Sequence, residues 1–302
     1  MRIVVALGGN ALLRRGEALT AEVQRHNVER AAQAIARVVA SGHQVVVTHG
    51  NGPQVGLMAL QDAAYDPKSA SPLDVLCAES EGMIGYLIVQ ALQNVLGRRQ
   101  PVAAILTRIE VDPADPAFAA PAKPIGPLYE AAEGSRLAAA LGWVLMADGA
   151  RFRRAVASPR PLRIVEIEVI RQLMAAGTLV VCAGGGGIPV AVTPDGGDRG
   201  IEAIIDKDHA SRLLGHEIKA EALLLLTDVD GLYAGWGGPD RRPLRHPTLA
   251  ELRGMRFATG SMEPKVRAAI DFISGGGKFA GIGRLEDAND ILEGRAGTRI
   301  VE

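Results

Sequence analysis

The chain has 302 residues, of which 48% are hydrophobic, and its formal net charge at pH 7 is −1. A chain of this length can bury roughly 75% of the surface of its unfolded form, so a large core is available. The near-neutral charge creates no overall positive field of the kind that attracts nucleic acid or an anionic membrane. We therefore expect neither as a partner.

Two features of the sequence indicate a cytoplasmic protein. Cys77 and Cys182 have no metal-ligand spacing and form no disulfide framework, which suits a reducing compartment, and we expect both to be small buried residues. The apolar run before Gly8 is too short for a secretory signal, so we expect no export. Residues 172–194 carry no charge, but their glycines and prolines make a membrane helix implausible, and a buried strand followed by a loop fits better.

Short β-rich runs alternate with longer segments of helical periodicity. The predicted strands are Ile3–Leu7, Val45–Val47, Val102–Leu106, Leu179–Ala183 and Ala222–Leu226. The predicted helices are Ala21–Ala40, Leu73–Leu96, Ile164–Ala176, Ile201–Leu214 and Pro264–Ile273. Continuous apolar strands separated by helices are typical of a parallel sheet. The pattern predicts an α/β fold, a three-layer α/β/α sandwich with an open, mainly parallel central sheet, whose ligands bind beyond the carboxyl ends of the strands.

A proline-rich stretch interrupts this alternation. Residues 101–161 hold eight of the seventeen prolines, and Lys123 lies between two of them on a stiffened backbone. We interpret about 112–160 as an inserted lid subdomain, since Leu137–Ala147 supplies apolar surface that can pack. The alternative is a disordered linker.

Two predicted strands end in glycine and asparagine, as Gly8-Gly9-Asn10 and as Gly50-Asn51-Gly52. Glycine lets the main chain approach a ligand closely, and exposed backbone amides in such turns can hold anions. The alternative is that each is simply a tight connection from strand to helix.

Lysine is scarce, with 6 lysines against 27 arginines. Lys123, Lys207 and Lys265 each stand in a special local context, which suggests that a compact ammonium group is wanted there. Solvated surface positions are the alternative for each of them. The sequence contains no P-loop motif, no histidine motif typical of a metal site and no G-x-S-x-G nucleophile elbow.

Several stretches, taken in order, resemble the carbamate kinases of the amino-acid-kinase superfamily. They are ALGGN at 6–10, THGNGPQVG at 48–56, PLDV at 72–75, ESEGMIGY at 79–86, KPIGP at 123–127, CAGGGGIPV at 182–190, AIIDKDHAS at 203–211, LLLTDVDGLY at 224–233 and FATGSMEPK at 257–265. The resemblance spans nearly the whole chain. It implies an open sheet of eight or more strands, a lid over the active site, and two-fold homodimers. It also implies an acceptor-binding lobe at about 1–180 and a nucleotide-binding lobe at about 181–302.

The resemblance further implies reversible phosphoryl transfer between ATP and carbamate, giving ADP and carbamoyl phosphate. Mg²⁺ would accompany the nucleotide, with no metal ligands from the protein, and the reaction would run toward ATP synthesis in the breakdown of arginine or other carbamoyl nitrogen. By position, the catalytic residues would be Lys123, Lys207, Asp208 and Lys265. Substrate and phosphate would be bound by Gly8, Gly9, Asn10, Gly50, Asn51 and Gly52. The nucleotide would be bound by Gly184, Gly185, Gly186, Asp228 and Tyr233.

Two other functions stay open. One is a sister kinase that phosphorylates another small acid or phosphate, such as acetylglutamate or UMP. The other is a non-catalytic ligand sensor on the same scaffold, although a sensor would not need all three lysines together with Asp208. The sequence departs from the family pattern at 148–154 and at 281–285, which bear on the lid and on the nucleotide side.

Overall fold

The structure is a computed structural model that describes residues 1–13, 16–66, 70–238, 240–258 and 262–302; the side chains of Asn10 and Ala11 lie outside that description. The strands are β1 Arg2–Leu7, β2 Gln44–His49, β3 Val102–Ala104, β4 Arg108–Val111, β5 Lys123–Tyr129, β6 Val144–Asp148, β7 Arg151–Val156, β8 Pro161–Ile164, β9 Leu179–Val181, β10 Ile188–Val192, β11 Asp198–Gly200, β12 Ala222–Thr227, β13 Leu232–Ala234, β14 Arg242–Leu244, β15 Phe279–Arg284 and β16 Thr298–Ile300. The helices are α1 Gly9–Leu12, α2 Ala21–Ala40, α3 Gly52–Tyr65, α4 Leu73–Leu96, α5 Ala131–Leu141, α6 Ile167–Ala175, α7 Lys207–Glu217, α8 Leu249–Gly254, α9 Met262–Ser274 and α10 Ala288–Leu292.

The central sheet has the strand order β16-β15-β12-β1-β2-β9-β3. Its neighbouring strands are parallel, except that β16 runs antiparallel to β15. Successive side chains of a strand point to opposite faces, so β1 contributes to two cores: Val4 and Ala6 pack with α6, α7 and α9, and Ile3 packs with α2, α4 and α10. The predicted three-layer α/β/α sandwich is confirmed.

The described part of this sheet has seven strands, fewer than the eight or more that the family resemblance implies. The other strands form a four-stranded sheet β11-β10-β4-β8, a hairpin β13-β14 and a three-stranded sheet β5-β7-β6. Strand β15 was not predicted, because Gly281 and Gly283 weaken its β pattern. A Cβ at these two glycines would lie 2.4 and 2.7 Å from Ile291, so the departure at 281–285 lets α10 pack closely on the sheet.

Helices α2 and α4 occupy the predicted residues, but α7 does not. The sequence predicts a helix from Ile201 to Leu214, whereas α7 begins at Lys207. Residues 201–206 are non-helical because Asp206 caps the helix, its side chain accepting hydrogen bonds from the backbone N–H groups of Asp208 and His209. The predicted helix start is therefore wrong by six residues.

The proline-rich insertion is an ordered subdomain. Strands β5, β6 and β7 form its antiparallel sheet, and α5 packs on that sheet through buried Leu137. The ring of Trp143 lies 6.5 Å from that of Tyr129, centroid to centroid. The departure at 148–154 is a β6–β7 hairpin closed by an ion pair of 3.0 Å between Asp148 Oδ2 and Arg153 Nε. The insertion is therefore folded and is not a disordered linker. We call residues 112–160 the lid.

Two apolar stretches bear on membrane contact. Residues 172–194 form the end of α6, then β9, a glycine turn and β10, as the prediction of a strand followed by a loop requires. Among the described residues, α4 is long and apolar enough to cross a membrane, but half of its most apolar window is buried inside the fold. It packs against α2 and α3, as a core helix does.

Both cysteines are buried, as predicted, with 0% and 1% of Cys77 and Cys182 exposed. Burial raises the pKa of both thiols, because a thiolate would lose its hydration. We expect neither thiol of the native protein to react with a disulfide reagent such as DTNB at pH 8, and both to react after unfolding in guanidinium. A thiol that reacts rapidly in the native protein would contradict this burial.

Candidate active site

Four loops meet at one edge of the central sheet, because β12, β1, β2 and β9 are neighbours and parallel. Asp228 follows the carboxyl end of β12, and the turn at Gly8 and Gly9 follows that of β1. The turn at Gly50 and Asn51 follows β2, and the glycine turn 184–187 follows β9. Helices α3 and α7 begin at the same edge, and helix N-termini favour anions. The topology thus brings most of the predicted site residues to one place.

The first two turns contact each other. A Cβ on Gly50 would lie 3.1 Å from the backbone nitrogen of Gly9 and 3.4 Å from Cδ of Lys207, and a Cβ on Gly8 would lie 2.8 Å from the carbonyl oxygen of Leu226. Glycine is therefore required here for the close approach of chain segments to each other.

The backbone N–H groups of Gly8 and Gly50 are already hydrogen-bonded within the protein. Gly8 N–H donates to the carbonyl of Leu226 at 2.8 Å, and Gly50 N–H donates to that of Leu7 at 3.0 Å. This corrects the expectation that these two amides are available to a ligand. Asn51 is buried and donates from Nδ2 to Ser80 Oγ at 2.9 Å, and Gly52 begins α3. The side chain of Asn10, also predicted here, lies outside the described residues.

Asp208 lies between two lysines. Its Oδ1 forms an ion pair with Lys207, its neighbour in the first turn of α7, and its Oδ2 lies 2.9 Å from Nζ of Lys265 in α9. All three residues are buried. Two ammonium groups thus share one carboxylate, leaving a net positive charge beside the first two turns.

The electrostatics of this group follow from burial and proximity. Burial alone would raise the pKa of Asp208, but the ammonium groups of Lys207 and Lys265 hold that pKa below its ordinary value. Burial lowers the pKa of Lys207, although Asp208 opposes this shift. Burial also acts to lower the pKa of Lys265, but Asp208 and Asp206 raise it above its ordinary value. Asp208 is therefore ionised, as expected for an acid between cations.

Lys123 reaches the same region from the lid. It is the first residue of β5, and its Nζ forms an ion pair with Oδ2 of Asp206, the residue that caps α7. Lys207 and Lys265 thus contact Asp208, whereas Lys123 contacts Asp206. Asp206 and Asp208 together bring the three lysines to the N-terminus of α7.

The glycine turn 184–187 follows β9, on the far side of β2 from β1. A Cβ on Gly185 would lie 2.1 Å from Asn51 Nδ2, and one on Gly184 would lie 2.3 Å from Nε2 of His49. Gly184 N–H donates to Glu81 Oε1 at 2.8 Å, and Gly186 N–H donates to the Ala183 carbonyl at 3.2 Å. The turn packs against Asn51 and is separated from β12 by two strands. Its predicted contact with the nucleotide stays a prediction.

Asp228 and Tyr233 follow β12 on the other side of β1. Asp228 is exposed. Burial acts to lower the pKa of Lys265, and the negative charge of Asp228 adds to those of Asp208 and Asp206 in raising it. The hydroxyl of Tyr233 donates a hydrogen bond of 2.9 Å to Asp230. The guanidinium of Arg241 stacks over the Tyr233 ring, 4.2 Å from the ring centroid, in a cation–π contact. These two predicted nucleotide residues therefore lie together, apart from the glycine turn.

Two buried acids at this edge were not predicted as site residues. Asp206 could have been identified as a helix N-cap, because Asp is common immediately before the first residue of a helix. It was missed because the predicted helix began at Ile201, which placed Asp206 inside the helix. Glu81 lies in α4 and accepts backbone hydrogen bonds from Gly184 and from Thr107 at 2.8 and 3.2 Å. Its partners are distant in the chain, so no local pattern could have identified it.

Among the residues that the structure describes, no three His, Cys, Asp or Glu side chains are grouped as they would be to hold a metal ion. Asp206 and Asp208, the carboxylates nearest the three lysines, are both engaged in ion pairs. The donor set therefore fits a metal that arrives bound to a substrate better than one held by protein ligands.

Comparisons with known proteins give one consistent family. A model described as the amino acid kinase family matches residues 1–280. The chain is 51% identical to a carbamate kinase of Rhizobium meliloti, with 99% of this chain and 93% of that protein covered. It is 50% identical to a carbamate kinase of Escherichia coli K12, with coverage of 99% and 98%. A solved structure of the carbamate kinase from Giardia lamblia bound to AMP-PNP matches with a TM-score of 0.89, 42% identity, and coverage of 99% and 98%.

Proposed function

The chain belongs to the amino acid kinase family and, within it, to the carbamate kinases, and on this basis we propose how its residues carry phosphoryl transfer between ATP and carbamate. The enzyme is a phosphotransferase, and its reaction interconverts ATP and carbamate with ADP and carbamoyl phosphate. The observation that carries the site assignment is the cluster of Lys123, Lys207 and Lys265 held at the N-terminus of α7 by Asp206 and Asp208.

The chemistry explains the residue types. A carbamate oxygen is already anionic, so its attack on phosphorus requires no general base. The enzyme must instead align the reactants and stabilise the charge on the oxygens of the transferring group. Two unit charges ~4 Å apart interact by about 4 kcal/mol at an effective dielectric near 20, so three ammonium groups can stabilise this charge substantially. Because the lysines are already fixed by carboxylates, little reorganisation is needed during the reaction.

We assign the acceptor and the phosphoryl group to the turns at Gly8-Gly9-Asn10 and Gly50-Asn51-Gly52, because the two turns contact each other and Gly50 lies beside the stem of Lys207. We assign the nucleotide to the loop after β12, which contains Asp228 and Tyr233. This assignment is supported by the proximity of Asp228 to the site, since its negative charge raises the pKa of Lys265. The nucleotide role of Gly184, Gly185 and Gly186 has weaker support, since that turn packs against Asn51.

This assignment corresponds to two lobes, at about 1–180 and about 181–302. Strands β1, β2, β3 and β9 lie on one side of the sheet, and β12, β15 and β16 lie on the other. We also propose a cytoplasmic homodimer that acts in the breakdown of arginine or other carbamoyl nitrogen, in the direction of ATP synthesis. Exposed apolar residues on α4, Val75 and Tyr86, are compatible with a dimer contact.

The proposed function is tested by coupled detection of ATP. We expect ATP from ADP plus carbamoyl phosphate, loss of activity with EDTA, and recovery with Mg²⁺, because Mg²⁺ enters as part of the nucleotide substrate. Turnover with acetylglutamate or UMP in place of carbamate would instead favour a sister kinase. Ligand binding without turnover of any of these substrates would favour a sensor.

A further inference from the structure

Residues 202–206, which have no regular secondary structure, lie against the lid and lead into α7. Their contacts with the lid occur at alternate residues. Glu202 Oε1 lies 3.6 Å from Nη2 of Arg154. Ile204 N–H donates to the Ala157 carbonyl at 2.9 Å, and Asp206 pairs with Lys123.

This alternation is that of an extended chain, whose successive side chains point in opposite directions. Ile204 packs with Ile125 and Val156 at the base of the lid. Ile205 points the other way, into the core of the central sheet. The segment therefore joins the lid to the rigid part of the fold, and Asp206 is its last residue before the helix.

The two carboxylate oxygens of Asp206 make different contacts. Oδ1 accepts hydrogen bonds from the backbone N–H of Asp208 at 2.8 Å and from that of His209 at 3.4 Å. Oδ2 pairs with Nζ of Lys123. Because the cap fixes the carboxylate relative to α7, the ion pair also fixes the lid ammonium relative to Lys207, the first residue of that helix.

The charge of Asp206 is suited to this contact. Burial alone would raise the pKa of Asp206, but Lys123, with His209 and Lys207, holds that pKa well below its ordinary value. Lys123 has a long, flexible side chain that is 24% exposed, and its ammonium group is held by the ion pair with Asp206. A flexible lysine loses rotamer freedom when it is fixed, and here that loss occurs before any substrate binds.

We propose that Asp206 is a positioning residue, which seats the lid lysine Lys123 at the N-terminus of α7 so that its ammonium group is in place when the phosphoryl group arrives. The proposal rests on the proposed function for the catalytic role of Lys123. The seating of Lys123 by Asp206 can be measured independently of that role.

The test uses Asp206→Asn, which keeps a side-chain oxygen for the cap and removes the negative charge. We expect the thermal midpoint to stay close to that of the wild type, and kcat for ATP synthesis to fall about 10²-fold, the order of loss expected when a catalytic group is misplaced by ~1 Å. Hydrogen exchange of residues 123–156 in the unliganded protein should become faster. Asp115→Asn is the matched control, since Asp115 caps a short helical turn through Ala117 N–H at 2.8 Å and forms no ion pair with any lysine among the residues that the structure describes.

A double-mutant cycle separates positioning from a general structural role. In a Lys123→Ala background, Asp206→Asn should cause no further loss of kcat, because the group that Asp206 seats is already absent. An equal loss of kcat in both backgrounds, or wild-type kcat and lid exchange in Asp206→Asn, would overturn the proposal. If Asp206→Asn does not fold, Lys123→Met removes the same ion pair with the cap intact, and unchanged exchange of the lid in that variant would also overturn it. A wild-type protein without carbamate kinase activity would refute the proposed function, while lid exchange would still report on the seating of Lys123.

Discussion

Replacement of Lys207 by alanine is expected to lower kcat by about 10² to 10³, and the same holds for Lys123→Ala and Lys265→Ala, by analogy with removal of one preorganised donor. Each substitution removes a positive charge that lies beside the transferring phosphoryl group in our assignment. The loss should appear mainly in kcat, because the charge on the phosphoryl oxygens develops in the transition state. Steady-state assay of each purified variant measures it.

The ion pairs also predict that the Lys207→Ala and Lys265→Ala variants fold. When Lys207 is removed, Asp208 keeps its 2.9 Å contact with Lys265, so no buried charge is left without a partner. Lys278→Ala is the matched control, since Lys278 pairs with Glu221 on the surface and its side chain is 67% exposed. Wild-type turnover in a variant of Lys123, Lys207 or Lys265 would remove that lysine from the mechanism.

Glu81 is expected to make the stability of the protein fall as pH rises. Burial raises the pKa of Glu81 to about 8 from an ordinary value of 4.5, although Gly184 and Thr107 donate hydrogen bonds to it. The folded form therefore binds this proton more tightly than the unfolded chain. The stabilising contribution is complete below pH 4.5 and is lost as pH rises to about 8. The shift corresponds to about 5 kcal/mol across this range.

Glu81→Gln should remove this dependence. The amide oxygen can still accept from Gly184 N–H, but the amide NH₂ cannot accept from Thr107 N–H, so we expect a loss of about 1 to 3 kcal/mol at pH 5. The difference in unfolding free energy between variant and wild type should then shift in favour of the variant by about 4 kcal/mol between pH 5 and pH 9. Urea unfolding at each pH measures this difference.

The neighbours of Glu81 do not obscure the measurement. Burial lowers the pKa of His49 to about 4, so His49 is neutral in the folded protein throughout this range, and burial raises the thiol pKa values of Cys77 and Cys182. In the unfolded chain these groups titrate alike in variant and wild type, so their contribution cancels from the difference. Glu79→Gln is the control, because Glu79 lies exposed on the same helix. A stability difference for Glu81→Gln that is constant with pH would show that Glu81 is ionised in the folded protein at neutral pH.

The parts of the fold that the sequence predicted are those with a regular local pattern. Helix α2 was predicted at its observed bounds, because its apolar residues recur at helical spacing. Strands β1 and β12 were predicted because both are continuous apolar runs. Strand β15 was not, since its glycines serve the packing of α10, a contact between separate elements that no local pattern reveals.

The candidate site divides in the same way. The sequence by itself determined that this is an α/β protein with a proline-rich insertion, with glycine turns after two apolar strands and three lysines in unusual contexts. These properties lie in neighbouring residues, and local backbone preference and burial periodicity are enough to specify them.

Only the tertiary structure decided which groups face each other. It paired Lys123 with Asp206, 83 residues away, rather than with Asp208. It also placed Gly184 on Glu81, 103 residues away, and the next residue, Gly185, beside Asn51. Such contacts depend on the order of strands in the sheet and on where a helix begins. These are set by the packing of the whole chain, because a buried charge or amide is stable only with a partner, and that partner can come from any segment that the fold brings near.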